Sequence, residues 1–347
     1  MIFLDACFRK ETPYTPIWLM RQAGRYLSEY KATRTKAGSF LELCQRVELA
    51  TEVTLQPIEI LDVDAAIIFS DILVIPLAMG LPLEFIAGEG PHFLRTVRES
   101  SDIDSLKIGA YKDLEYVYDA LSSVRSKLPK DKALIGFCGS PWTLATYMIE
   151  GEGSKSYTHS KKMAYSNPAL LHNLLANLSN ELANYLKSQI RAGADAVQIF
   201  DSWASALEPQ AYMEFSFKYM LDIVREVKKD YADVPIMLFP KGIGGLLEEI
   251  RQECDRSGAG FEVFGVDWGV SMARAKSILG DTFVLQGNLE PARLYSRASM
   301  EDGVDEILRT MGNRAGHIFN LGHGMLPDLS RQNAIELVKM VREKTKR

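Results

Sequence analysis

The chain has 347 residues, of which 47% are hydrophobic and 24% charged, with a formal net charge of −5. These proportions exclude disordered and fibrous classes, and the lack of a basic excess argues against nucleic acid as the main partner. Four scattered cysteines, Cys7, Cys44, Cys138 and Cys254, form no C-x-x-C pair, so neither a disulfide framework nor a zinc ribbon is expected.

The opening, MIFLDACFRKE, has neither the basic region nor the long apolar region of a signal peptide. No later apolar run reaches the about 18 residues that a membrane helix needs, so a cytoplasmic protein is expected. Ile17 to Met20 then reads as a buried strand, and it delivers Arg21, Gln22, Ala23, Gly24 and Arg25 where that strand should stop. Two guanidiniums around a glycine suit an anion-recognition loop, although such arginines also solvate an ordinary strand-to-helix turn.

Leu27 to about Ile60 has helical spacing, broken near Gly38-Ser39. A second strand, Ala65 to Phe69, runs into Ser70-Asp71, and Gly80 to Pro91 reads as a rim excursion. A helix over Tyr111 to Lys127 precedes a third strand, Ala133 to Phe137, which ends in Cys138-Gly139-Ser140-Pro141-Trp142. The helix from Pro168 to Arg191 carries a leucine face (Leu171, Leu174, Leu175, Leu178, Leu182, Leu186) and is closed by Gly193.

Further strands are expected at Ala196 to Phe200, Ile236 to Phe239, Val263 to Val266, Phe283 to Leu285 and His317 to Phe319, with helices between them and a last helix from about Ser330. Eight short strands alternating with helices, with no linker or composition shift, predict one domain over residues 1–347: a single (β/α)8 TIM-type barrel. A doubly wound open sheet of six or seven strands is the alternative.

A barrel gathers the residues just past its strand ends at one mouth. Arg21 and Arg25 fall there, followed by Asp71, then Trp142 and Tyr147, Ser202, Lys241, Asp267, Asn288 and His323. Such a set suits a multiply anionic substrate, part of which becomes cationic. Arginines would hold carboxylates, and a dry Asp71 would stabilise positive charge. Asp71 is equally placed to cap a helix, and His323, between two glycines, could move protons or serve only in packing. The histidines and cysteines show no metal-ligand spacing, and the glycines at 242 to 245 fit neither the dinucleotide nor the P-loop pattern.

At these residues the sequence resembles the uroporphyrinogen decarboxylase family. Met20 to Tyr30 reads MRQAGRYLSEY, departing from the family pattern at Ser28, where proline is common. FSDILVIPLAMG (Phe69 to Gly80), GSPWTLATYMIEGEGS (Gly139 to Ser154), QIFDSWA (Gln198 to Ala204), LQGNLEP (Leu285 to Pro291) and NLGHGMLPD (Asn320 to Asp328) follow in order over nearly the whole chain. Cys138, Ser140 and Trp203 stand at positions the pattern does not explain.

The resemblance implies a cofactor-free, metal-free homodimeric barrel that removes CO2 from the four acetate arms of uroporphyrinogen III to give coproporphyrinogen III. It implies that Arg21, Arg25 and the Gln22–Ala23–Gly24 backbone bind substrate carboxylates and that Asp71 faces the pyrrole N–H groups. It further implies that Tyr147, Ser202 and His323 hydrogen-bond peripheral carboxylates, while Phe40 and Phe200 form apolar walls. Two rivals share parts of this pattern: a corrinoid-linked methyltransferase, which would need a zinc-type His and Cys set, and a tetrapyrrole carrier, which would need no dry carboxylate.

Overall fold

In the computed structural model, which describes residues 1–86, 90–258, 260–312 and 315–347, seven parallel strands curl into a sheet with helices packed outside it. In chain order the strands are β1 (Ala65–Ile67), the rim strands β2 (Leu83–Ile86) and β3 (Gly90–Phe93), β4 (Ala133–Gly139), β5 (Ala196–Asp201), β6 (Ile236–Pro240), β7 (Val263–Gly265), β8 (Val284–Gln286) and β9 (His317–Ile318). The main sheet runs β1-β4-β5-β6-β7-β8-β9, and β2 and β3 form a separate antiparallel pair. That pair is the rim excursion expected from the glycines and prolines, and its tip, 87–89, lies outside the described residues.

The first strand differs from expectation. Ile17 to Met20 occupies the eighth place, between β1 and β9, but pairs through one bridge only, Ile17 with Phe319. Side chains replace the missing ladder. Asp64 Oδ2 accepts from Ile17 N at 2.8 Å, Gln22 Oε1 from Leu19 N at 3.0 Å, and Asn320 Oδ1 from Met20 N at 2.9 Å. Backbone bonds from Asp64 N to Ile17 O (2.8 Å) and from Phe319 N to Pro16 O (2.8 Å) complete the closure. Buried peptide groups must be paired, and here a carboxylate and two carboxamides do the pairing.

Caps fix the helices that border the mouth. Ser140 accepts from Thr143 N and, with Pro141 in the first turn, starts the helix Pro141–Glu150. Ser39 and Glu42 form a capping box on Phe40–Gln45. The helix Pro168–Arg191 buries all six leucines of its expected face and is followed by Gly193 at φ 118, which only glycine adopts without strain. Ser28, where proline is common, is the first residue of the helix Ser28–Ala37, a position that accepts either type.

Asp64 is 1% exposed and also accepts from Tyr14 Oη (2.9 Å) and Arg342 Nη2 (2.8 Å), tying the last helix, Arg331–Thr345, to the closure. Replacing it by alanine strands the Ile17 N–H and leaves Arg342 partly buried without this partner. We predict that Asp64→Ala lowers unfolding free energy in urea by about 3 kcal/mol. Asp62, 66% exposed although paired with Lys132 and Arg342, should cost under about 1 kcal/mol on the same substitution.

Candidate active site

Arg21 sits at the end of the irregular first strand with φ 60, a conformation that a side chain other than glycine rarely adopts. Its stem crosses Gly324, where any Cβ would collide with Arg21 Cδ and Cγ; this close approach is why a glycine follows His323. Arg21 and Arg25 are both exposed at the mouth. Neither guanidinium has an ion-pair or hydrogen-bond partner among the described residues, unlike Arg125, which holds Asp195 at 2.7 Å.

The Gln22 side chain turns into the wall, its Nε2 donating to Ala65 O at 3.0 Å, and its N–H is taken by Leu19 O at 2.9 Å. Of the loop's expected backbone donors, the N–H groups of Ala23 and Gly24 have no backbone partner among the described residues.

Asp71 follows β1 and keeps only part of its surface open to the cleft. It does not cap the following helix, whose N-cap is Leu73 without a side-chain bond. Oδ1 accepts from Leu73 N at 2.8 Å, an Asx-type turn that leads into the short helix Val74–Ala78, while the rest of the carboxyl stays in the mouth. Burial raises its pKa to about 6, against the pull of the Leu73 N–H and the Arg21 charge.

Tyr147, in the helix Pro141–Glu150, lies within the fields of both Asp71 and Arg21, and burial pushes its phenol pKa up. Trp203, unassigned from the sequence, packs beside it with ring centroids 5.9 Å apart and also meets Tyr157 at 5.7 Å. Ser202 is half-buried between Asp201 and Trp203.

His323 stacks against Trp268 (5.6 Å, 25°) and Phe239 (6.4 Å, 17°). Burial first, and then the charges of Arg21 and Lys241, lower its pKa to about 3. It is therefore a neutral hydrogen-bonding ring at physiological pH, and its Nδ1 is buried without a protein partner among the described residues.

Two aromatic walls flank these groups. Phe40 contacts Phe69 (5.9 Å) and Phe85 (4.8 Å), and Phe200 contacts Phe137 (5.7 Å) and Phe239 (6.1 Å). Arg34, not singled out from the sequence, lies 5.7 Å over the Phe40 ring and adds a cation on that side. Its helical, charged surroundings gave no signal that it would stack on Phe40.

Three residues expected at the mouth turn away from it. Trp142 is fully buried and donates to Trp203 O at 3.0 Å. Asn288 binds the carbonyls of Asp267 (2.9 Å) and Val270 (2.6 Å), and Asp267 accepts from Gly242 N and Gly269 N. Ser140 and Cys138, two further unexplained positions, are likewise buried, Ser140 as a helix cap. Among the described residues no group of three His, Cys, Asp or Glu side chains is placed to hold a metal ion.

The strand ends of the barrel bring guanidiniums without partners among the described residues, a desolvated carboxyl and aromatic rings to one face, the face where barrels of this kind carry their active sites. The profile of the uroporphyrinogen decarboxylase (URO-D) family matches residues 2–344. Proteins named uroporphyrinogen decarboxylase from Helicobacter hepaticus and Helicobacter acinonychis are 71% and 66% identical, each over 100% of both chains. The chain belongs to the uroporphyrinogen decarboxylase family and, with it, to the carboxy-lyases.

Among solved structures, a methyltransferase from Methanosarcina mazei superposes with a TM-score of 0.78 over 99% of this chain and 97% of its own, at 18% identity. A B12-independent methionine synthase from Shewanella gives 0.52 over 97% and 98%, at 11% identity. These two share the fold.

The Asp71 environment has a measurable cost. The unfolded carboxyl releases its proton near pH 3.9, the folded one near 6, so rising pH costs stability between those values. Well above pH 6 the whole penalty, on the order of 3 kcal/mol, is present. Asp71→Asn keeps the Leu73 acceptor and removes the charge, so at pH 7.5 its Tm should exceed that of the wild type. In the same protein the His323 ring resonances, assigned by their loss in His323→Asn, should stay at their neutral positions down to pH 5.

Proposed function

We propose that this chain decarboxylates uroporphyrinogen III at all four acetate arms to give coproporphyrinogen III, with Asp71 as the residue on which the chemistry turns. The observation that carries the mechanism is the single desolvated carboxyl beside unpaired guanidiniums at the mouth.

Loss of CO2 from an acetate arm leaves an electron pair on the arm's methylene carbon. A neutral pyrrole cannot accept it. Protonating the ring carbon beside the arm makes the ring a cationic electron sink: the carboxylate C–C bond breaks, its electrons enter the ring, and an exocyclic methylene results. Protonation of that methylene and loss of the added ring proton give the methyl product and restore the pyrrole.

The Asp71 carboxylate faces the pyrrole N–H groups and stabilises the cation more than it stabilises the neutral ground state, because so little water competes with it. Arg21 and Arg25, with the free N–H groups of Ala23 and Gly24, hold peripheral carboxylates. Tyr147, Ser202 and neutral His323 donate further hydrogen bonds, and Phe40 and Phe200 bracket the macrocycle. Arg21 orients the reacting arm; delivery of the first proton by Arg21 is a separate hypothesis, since a guanidinium is a weak acid.

The reaction needs no cofactor in this scheme. The four cysteines are free and buried, which suits a reducing cytoplasm, and no helix among the described residues is long and apolar enough to cross a membrane. The working form is a homodimer with its clefts facing, as the family resemblance implies; light scattering tests this.

The decisive measurement is anaerobic turnover of uroporphyrinogen III without added metal or cofactor, with products oxidised and separated by carboxylate count. The wild type should yield the four-carboxylate product, and Asp71→Asn should lose at least about 100-fold in kcat with KM changed little. The wild-type kcat/KM should fall on the acid side with an apparent pKa near 6, as Asp71 takes up its proton, and Asp71→Asn should lack that inflection. A folded wild type that releases no CO2 would overturn the assignment.

A further inference from the structure

Lys241 follows β6 directly, its N–H donated to Asp201 O at 3.0 Å. Its ammonium lies 5.6 Å from the centroid of Trp268, the ring stacked on His323. The side chain is partly buried, yet no ion pair among the described residues includes it. The neighbouring acid, Asp267, is already committed to the Gly242 and Gly269 N–H groups.

A partly buried lysine without a carboxylate partner among the described residues keeps its three N–H donors for an anion that visits it. It differs here from Lys228, which holds Glu262 at 2.6 Å, and Lys187, which holds Glu226 at 2.9 Å and Asp230 at 2.7 Å. All three groups of the cluster, Lys241, Trp268 and His323, come from loops after β6, β7 and β9. They therefore open on the same mouth as Arg21 and Arg25, but are built on different strands.

Resting on the tetrapyrrole reading above, we propose that Lys241 forms a second carboxylate subsite, taking a peripheral arm of the macrocycle beside Trp268 while Arg21 and Arg25 hold others. A substrate with eight carboxylates presents anions around its whole rim, and cations from one loop reach only part of it. Trp268, 41% exposed, supplies an apolar platform against which a pyrrole edge packs as its arm reaches the ammonium. Lys241 then acts in binding and register and takes no part in the carbon chemistry.

The test compares wild type, Lys241→Met and Lys241→Arg in anaerobic turnover of uroporphyrinogen III, with Tm measured alongside. Lys241→Met keeps the apolar stem over Trp268 and removes the charge. Its KM should rise about tenfold with kcat within about twofold, and Lys241→Arg should recover most of the loss. The KM of Lys241→Met should also depend less on ionic strength than that of the wild type.

Kinetics of Lys241→Met equal to wild type, a fall in kcat at unchanged KM, or a KM increase that Lys241→Arg does not relieve would each overturn the subsite while leaving the decarboxylase reading intact. A wild type that does not decarboxylate uroporphyrinogen III would instead overturn that reading, and the subsite with it. Should Lys241→Met lower Tm by several degrees, the KM of Lys241→Gln decides on the same criteria.

Discussion

The structure depends on how the barrel is closed. Between β1 and β9 the chain has no regular ladder, and the Ile17–Met20 segment is held by the Asp64 carboxylate and the carboxamides of Gln22 and Asn320. Side chains can hold a backbone at angles a ladder forbids. That freedom lets Arg21 take φ 60 immediately after the closure and lay its stem over Gly324. A regular eighth strand would have carried residue 21 on in extended form and aimed it at the wall. Inside the barrel the same economy of amides continues: Trp18 Nε1 donates to Gln286 Oε1 at 2.8 Å, and Gln286 Nε2 to Gln198 Oε1 at 2.9 Å. The indole of the closing segment is thereby fixed to β8, and through it to β5.

The mouth holds cations that differ from the partly buried cations elsewhere in the barrel, such as Arg125, paired with Asp195, and Lys132, paired with Asp62. Among the described residues Arg21, Arg25 and Lys241 have no ion-pair partner, while Asp71 is pushed toward its neutral form by burial. This is the pattern of a site whose counter-charges arrive with the ligand, and it stores instability that the remaining core offsets. The neutral state of His323 follows first from its burial and then from the same positive charge, since Arg21 and Lys241 both disfavour a further cation. A neutral ring can offer a hydrogen bond but no ion pair.

Much of this was legible in the sequence because the barrel imposes a simple rule. Strand runs with the right spacing revealed the fold, and whatever followed each run was a candidate for the mouth. The rule put Asp71, Ser202 and His323 on the segments that follow β1, β5 and β9, and Tyr147 in the helix that follows β4. It failed for Trp142, Asn288 and Asp267, which also follow strands. Distinguishing a residue that points over the rim from one that folds back to cap a neighbouring loop needs the backbone angle two or three residues on, which spacing does not encode. Gln22 is the instructive case. Its position in the anion loop suggests ligand contact, yet the side chain repairs a strand. Arg34 was hidden for the opposite reason, since its contact with Phe40 joins two helices and Phe40 in turn packs on Phe69 and Phe85, tertiary contacts that spacing does not encode.

Tyr147 and Ser202 reach the cleft from different elements, and a buried carboxylate holds those elements together. Asp201 is fully buried and accepts from Ser140 Oγ (2.7 Å), Thr143 Oγ1 (2.7 Å) and Ser216 Oγ (2.5 Å). Burial raises its pKa and the three hydroxyls oppose that rise. Ser140 caps the helix that carries Tyr147, Thr143 lies one turn before Tyr147, and Thr143 Oγ1 also receives Trp203 N at 3.3 Å. Ser216 comes from the widened turn Met213–Phe217, which brings its hydroxyl inward. One anion thus clamps the end of β5, the start of the Tyr147 helix and the segment after Ser202. The relative placement of Tyr147 and Ser202 is set from behind, by contacts buried away from solvent.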